Sequence, residues 1–315
     1  MTREERVDEL RVRIYEPRRR GSTFLIAPGL HYAGADDPRL DRFCRVLAAA
    51  GHQVIAPFIP DYLALLPSDR AKRDFERVFH ALPRWTAEPP VVFSISFGSL
   101  LAFALASRHG DAIARLVIFG GYASLRETLH FALTGEAGGR TAVRDPLNQP
   151  VVFANLLHVL DPPPADHAAI TQHWRRYVER TWGRPELKAR ARYVAIAEEL
   201  AVEVPAELRE LFLVGIGARP GAVALAMPAL ERFDARPLDP SPYLPQIRGR
   251  VDLVHGTDDD VIPFEQSHAL ARALVHADAR VHITGLYNHT GSALPRPREV
   301  VRELRTMLAI LDVLA

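Results

Sequence analysis

Two closely spaced serines, a run of three aspartates and one late histidine are the residues whose types and spacing could do nucleophilic chemistry. In Phe93-Ser94-Ile95-Ser96-Phe97-Gly98, an apolar β-branched run (Val91-Val92-Phe93) passes into a small-residue helical run from Leu100 to Ala106. A serine held between strand and helix, with glycine two residues on, is the arrangement that pushes a hydroxyl out of a sharp turn. The first N–H groups of the following helix then face any negative charge that develops there. Ser96 is therefore the candidate nucleophile. Ser94 stands where such turns usually carry glycine, and its hydroxymethyl group is expected to require only slight adjustment of the turn.

Farther along, Val251 to Val254 reads as a strand running through His255-Gly256 into Thr257-Asp258-Asp259-Asp260-Val261-Ile262-Pro263. Carboxylates just past the carboxyl edge of a parallel strand lie where ligands bind in open α/β sheets. The next strand, Arg280 to Ile283, ends at Thr284 and is followed by Gly285-Leu286-Tyr287-Asn288-His289. The acid loop and the histidine loop thus fall at the ends of successive strands, on the edge expected for Ser96. His282, the other late histidine, lies inside the strand and is expected to point into a helix layer.

These residues need a sheet to hold them, and the first part of the chain supplies one. Leu10–Tyr15, Thr23–Ala27, Val54–Phe58, Val91–Ser94 and Leu116–Phe119 read as strands. Helical segments lie between most of them, with Asp37-Pro38 as a helix start and Gly51 as its stop, and Ser68 to Trp85 as a second amphipathic segment. A first strand before Leu10 is expected to be missing or much shortened. Strands alternating with helices predict an α/β fold, a mostly parallel sheet with helices on both faces. From 123 to 247 helical segments dominate, near 151–160, 165–182, 186–202, 206–213 and 222–233, punctuated by prolines. Trp174, Tyr177 and Trp182 are the expected packing residues of this insertion. Pro237 to Pro245 reads as a stiff linker back into the sheet, and a last helix is expected from Arg298 to Val313. The expected domains are a core of 1–122 and 248–315 interrupted by a helical cap or lid at 123–247.

Composition narrows the function classes. The 315 residues carry a net charge of +1, so no field favours nucleic acid or an anionic membrane. Cys44 is the single cysteine, which excludes an internal disulfide and a thiolate zinc cluster; it is expected to be a buried, inert thiol. The charged stretch Met1 to Leu10 lacks the apolar segment of a secretory signal. The apolar run Val91 to Ala106 is shorter than the ~20 residues of a membrane span and is interrupted by serines. A cytoplasmic protein is the expectation. No dinucleotide glycine pattern, phosphate loop or metal cluster stands out, and no cofactor is expected.

Taken together, Ser94-Ile95-Ser96-Phe97-Gly98, the loop His255-Gly256-Thr257-Asp258-Asp259-Asp260-Val261-Ile262-Pro263, and His289 resemble the α/β-hydrolase superfamily. The turn Pro28-Gly29-Leu30 matches in place, with proline where that family often has histidine. The resemblance covers the two sheet-forming parts and not the helical middle. It implies Ser96 as nucleophile, His289 as its base, and Asp259 as the carboxylate that orients the imidazole and stabilises its cation. The backbone N–H groups of Leu30 and Phe97 would form the oxyanion hole. Spacing from Gly256 and Pro263 favours Asp259 over Asp258 and Asp260. His31, just past the oxyanion turn, is expected to be hydrogen-bonded and structural.

Serine at 96 excludes the aspartate-nucleophile chemistries of that superfamily and leaves acyl transfer. The expected activity is hydrolysis of a carboxylic ester whose acyl or alcohol part is partly hydrophobic. Amidase or peptidase, thioesterase, carbon–carbon hydrolase and acyltransferase activities use the same residues. A catalytically silent binding protein on the same fold is the alternative of a different class.

Overall fold

The computed structural model describes residues 1–19 and 21–285. His289 and the expected helix at 298–313 lie outside the described residues. The chain divides into two units, Met1–Ser124 with the chain from Pro237 onward, and Leu125–Arg236.

The first unit is built on an eight-stranded sheet in the order β1-β2-β4-β3-β5-β6-β9-β10. Its strands are β1 Thr2–Val7, β2 Leu10–Tyr15, β3 Thr23–Ala27, β4 Gln53–Pro57, β5 Val91–Ile95, β6 Arg115–Phe119, β9 Arg250–Gly256 and β10 Asp278–Thr284. From β4 through β10 every pairing is parallel; β1 with β2 and β2 with β4 run antiparallel. β3 and β4 are buried along their whole length, as strands covered on both faces must be. Alternate side chains of β3 enter different cores: Phe24 and Ile26 join Cys44 and Leu47, whereas Leu25 and Ala27 join Phe75, Phe103 and Leu270. The helices of this unit are α1 Pro38–Ala49, α2 Pro60–Leu63, α3 Asp69–His80, α4 Gly98–His109 and α11 Glu265–Ala273.

Strand β1 corrects the expectation that the sheet begins at Leu10. Its Thr2-Arg3-Glu4-Glu5-Arg6-Val7 is mostly charged, yet it pairs with β2 as an edge strand. Charged side chains on an edge discourage pairing with other chains, so they are compatible with a strand that periodicity alone does not reveal. Arg13 on β2 reaches Glu4, Arg3 reaches Glu16, and Trp85 Nε1 donates to Glu5 at 2.7 Å, so Arg3, Glu4 and Glu5 of β1 have partners within the unit.

The caps follow the sequence signals. Asp37 accepts from the N–H groups of Arg39 and Leu40 at the start of α1, with Pro38 in the first turn. Ser68 Oγ accepts from Ala71 N at the start of α3. α4 is buried from Gly98 through Ala106, all around rather than on one face. That explains why its sequence is uniformly apolar: it is an interior helix of the sheet unit. Among the described residues no helix is long and apolar enough to cross a membrane. Cys44 is buried, and burial is the main cause that pushes its thiol up to about 12, which keeps it protonated and unreactive.

The second unit is helical apart from a short hairpin, β7 Glu136–Ala137 with β8 Arg140–Thr141. Its helices are α5 Leu125–Thr134, α6 Gln149–Leu156, α7 His167–Thr181, α8 Arg190–Ala201, α9 Ala206–Ile216 and α10 Ala222–Arg232. The last five lie within a few residues of the segments read from the sequence; α5 and the hairpin are additional. Trp174 and Tyr177 are fully buried, and Trp174 Nε1 donates to Phe212 O at 3.2 Å. Trp182 is half-buried and donates to Leu147 O at 3.0 Å. The space above Gly215 is filled by the Trp174 ring: a Cβ there would lie 2.5 Å from it.

Candidate active site

Within the sheet, β3 has β4 on one side and β5 on the other. The connections leaving β3 and β5 therefore run in opposite directions, the switch point at which open α/β sheets bind ligands. The loops at this switch point begin at Pro28-Gly29-Leu30 after β3 and at Ser96 after β5.

Ser96 occupies the single-residue turn between β5 and Phe97, with φ of 53°, in the left-handed region. A non-glycine residue is held there only when its surroundings fix it from several sides. Here they do. Ser96 N donates to Phe119 O of β6 at 2.8 Å, and Ser96 O accepts from Ser99 N at 3.1 Å in the first turn of α4. Gly98 lets the turn pass against β3; a Cβ there would lie 2.1 Å from Ala27 O and 2.7 Å from Pro28 O. Gly29 approaches from the other side, where a Cβ would lie 3.1 Å from Ile95 O and 3.4 Å from the Cβ of Ser96. Tyr62, buried on α2, donates its hydroxyl to Phe97 O at 2.9 Å. Ser96 itself is half-buried.

The N–H groups of Leu30 and Phe97 are not used in hydrogen bonds among the described residues. Both belong to the two segments that meet at Gly29 and Gly98. His31 follows directly. Its Nδ1 accepts from Ala33 N at 3.2 Å and its Nε2 lies 3.2 Å from Asp37 Oδ2. Burial holds the imidazole below its ordinary pKa. Burial opposes the Asp37 charge, but the Arg39 guanidinium and His31 outweigh it and leave the carboxyl below its usual range. This pair is the hydrogen-bonded structural role expected for His31.

Asp259 organises the loop after β9. Its Oδ1 accepts from Val261 N and Ile262 N, both at 2.9 Å, which folds the loop after β9 around one carboxylate oxygen. Its Oδ2 lies 3.3 Å from His255 Nε2, and a Cβ on Gly120 would lie 3.3 Å from the same oxygen. Gly120 follows Phe119, whose carbonyl receives the Ser96 N–H. The Asp259 carboxylate thus stands over the end of β6, the strand next to the Ser96 turn. Gly120 has φ of 61°, so the close approach and the backbone conformation both call for glycine.

His255, quoted in the sequence motif without a task, proves to be a buried strut. Its Nδ1 lies 2.7 Å from Ser267 Oγ on α11 and its Nε2 lies 2.8 Å from Ile262 O. Its position directly before Gly256 was the available signal, but nothing local distinguished a strut from an ordinary buried histidine. His282 on β10 pairs with buried Asp252 of β9 at 3.2 Å and so is occupied within the sheet. His289 lies outside the described residues.

Ser94 is fully buried in β5, with Ala27 and Ile118 as its register neighbours, and its Oγ has no hydrogen-bond partner. An unpaired buried hydroxyl destabilises relative to an apolar group of the same size. Ser94→Ala is therefore expected to raise the unfolding free energy by about 1 kcal/mol in urea titration. Turnover should be kept or raised in Ser94→Ala and Ser94→Gly alike. Lower stability in both would show that the hydroxyl has a partner after all.

The sequence matches no protein-family model and no curated protein. Solved structures resemble it in fold. The acylaminoacyl peptidase of Pyrococcus horikoshii superposes with a TM-score of 0.52 at 12% identity, over 98% of this chain and 40% of the peptidase. The chain thus spans well under half the length of that protein. Est1E from Butyrivibrio proteoclasticus gives a TM-score of 0.48 at 11% identity, over 100% of this chain and 99% of its own. A monoacylglycerol lipase of Paleococcus ferrophilus gives 0.48 at 17% identity, over 96% and 99%. The sheet order, the crossovers and the superposition on the peptidase define one class: the chain has the α/β-hydrolase fold.

Proposed function

We propose that this protein is a serine hydrolase that cleaves a carboxylic ester through an acyl-enzyme. Ser96 is the nucleophile, His289 the general base and acid, and Asp259 the carboxylate that orients the imidazole. The N–H groups of Leu30 and Phe97 form the oxyanion hole, and the helical unit serves as a cap. The reading rests on one observation above the others, the left-handed backbone of Ser96 at a strand–helix turn. Strain of this kind at non-glycine residues clusters at functional sites, and here it falls at a strand–helix turn.

In the proposed reaction the Ser96 oxygen attacks the ester carbonyl carbon as its proton passes to His289. Charge on the carbonyl oxygen is met by the two backbone N–H groups and by the N-terminal end of α4. Collapse of the tetrahedral intermediate breaks the carbon–oxygen bond, and the departing alkoxide takes the proton from His289. Water, deprotonated by the same imidazole, then attacks acyl-Ser96; collapse releases the acid, and the proton returns to the serine oxygen.

A fluorophosphonate probe tests the assignment. The wild-type protein is expected to label stoichiometrically, and Ser96→Ala to lose labelling while retaining its far-UV spectrum. A folded wild-type protein that takes no label would mean a silent binding protein. A series of p-nitrophenyl esters of increasing acyl length then separates ester hydrolysis from cleavage of amides, thioesters or carbon–carbon bonds and from acyl transfer to an alcohol. Labelling at Ser96 with inertness toward every ester would overturn the ester assignment and leave the nucleophile standing.

A further inference from the structure

The ends of α3 and α4 remote from the Ser96 turn bring together three metal-binding side chains that the proposed reaction does not use. Glu76 and His80 lie four residues apart on α3, hence on one helix face, and His109 is the last residue of α4. Each offers one ligand atom, and these atoms all lie within 4.8 Å of one another. His109 Nε2 stands 2.6 Å from Glu76 Oε1, and the rings of His80 and His109 meet edge to face with centroids 5.0 Å apart. Glu76 and His109 are half-buried, and His80 is exposed.

A second feature of the same place favours a cation independently of the donors. α3 and α4 are each 12 residues long, and both end at this cluster. A helix C-terminus carries partial negative charge, so two such ends meet here together with a carboxylate. We infer that Glu76, His80 and His109 form a site for a divalent transition metal, Zn²⁺ in particular, completed by water. Two imidazoles and one carboxylate are a borderline-soft set that suits Zn²⁺ and disfavours Mg²⁺ and Ca²⁺, which take all-oxygen shells. With Zn–N and Zn–O bonds of about 2.0–2.2 Å, tetrahedral ligands sit about 3.4 Å apart. The required adjustment is a change of side-chain rotamer, with His109 opening from Glu76 and His80 closing on both.

One neighbour opposes the metal. Arg108 Nη2 lies 3.0 Å from Glu76 Oε2 and holds the second carboxylate oxygen. The metal would displace or share that contact, so Arg108 sets the affinity from outside the ligand set. The consequence is a clip between α3 and α4, about 17 Å along α4 from the Ser96 turn at 1.5 Å per residue. The clip would stabilise the sheet unit and leave the reaction chemistry untouched. The sequence reading found no metal cluster because His109 is distant along the chain and only helix packing brings it to the other two.

The test is calorimetric titration of ZnCl₂ into the metal-stripped full chain, with Mg²⁺ and Ca²⁺ as controls. One saturable Zn²⁺ site is expected, and neither control should bind. His80→Ala, His109→Ala and Glu76→Gln should each weaken Zn²⁺ by about tenfold or more, as the loss of one of three ligands requires. The double variant His80→Ala/His109→Ala should abolish the site. Arg108→Gln should tighten binding severalfold. At a hundredfold excess over Kd, Zn²⁺ should raise Tm by roughly 4 °C in the wild type and not in the double variant. His80 is exposed, so His80→Ala keeps the test valid even where another variant folds poorly. No saturable binding to the wild type, or undiminished binding to the double variant, would overturn the site. Neither outcome bears on labelling at Ser96.

Discussion

Asp259→Asn is expected to lower kcat for an activated ester by about ten-thousandfold, the loss seen when a triad carboxylate is replaced by its amide. The substitution isolates charge from architecture. An asparagine carbonyl at this position can still accept from Val261 N and Ile262 N, so the loop after β9 keeps its turn. The carboxylate that would orient and stabilise the His289 cation is lost, along with the 3.3 Å approach of its Oδ2 to His255 Nε2. Asp258→Asn and Asp260→Asn should reduce kcat/KM by less than about threefold, the scale expected when a charge is removed near a site without touching it. Steady-state kinetics on the three variants, with urea unfolding to confirm their stability, decides the matter. Comparable losses in all three would remove Asp259 from the mechanism.

The second large effect is structural. Gly98→Ala should destabilise the protein by about 3 kcal/mol, which in a chain of this size lowers Tm by roughly 4–5 °C. Most overpacking is relieved by a flexible side chain that swings away. Here the obstructing atoms are the carbonyl oxygens of Ala27 and Pro28, 2.1 Å and 2.7 Å from the new Cβ, and they belong to backbone at the end of a buried central strand. Either β3 shifts, breaking its register with β5, or the Ser96 turn moves outward. Both routes separate Leu30 from Phe97, so ester turnover should fall with stability. Gly110→Ala, at a residue with φ of −53° where a Cβ meets nothing within 4 Å, is the control for replacing a glycine in open space. Thermal melting that shows no difference between the two variants would contradict the close approach.

The contrast between Ser96 and Asp259 shows how far local reading extends. The Ser96 turn was legible because every signal for it is consecutive: apolar strand, small residue, serine, glycine, apolar helix. The cap at Asp37, and five of the six helices of the second unit, were legible for the same reason. Preference among three consecutive aspartates came from spacing to Gly256 and Pro263, while the two backbone N–H groups folded onto one Asp259 oxygen exist only in the loop's three-dimensional form. Strand β1 was missed because its charges suit an edge, and edge status depends on which strands pair.

By itself, then, the amino-acid order determined an alternating α/β chain with a serine at a strand–helix junction, since periodicity, capping and turn chemistry act over a few residues. Only the tertiary structure decided that β3 lies between β4 and β5, that Gly98 must be glycine, that Ser94 buries an unpaired hydroxyl, that His255 supports Asp259, and that Glu76 and His80 meet His109. Each of these depends on a contact between segments far apart in the chain. Such contacts are selected by burial and hydrogen bonding across the whole sheet rather than by any local pattern.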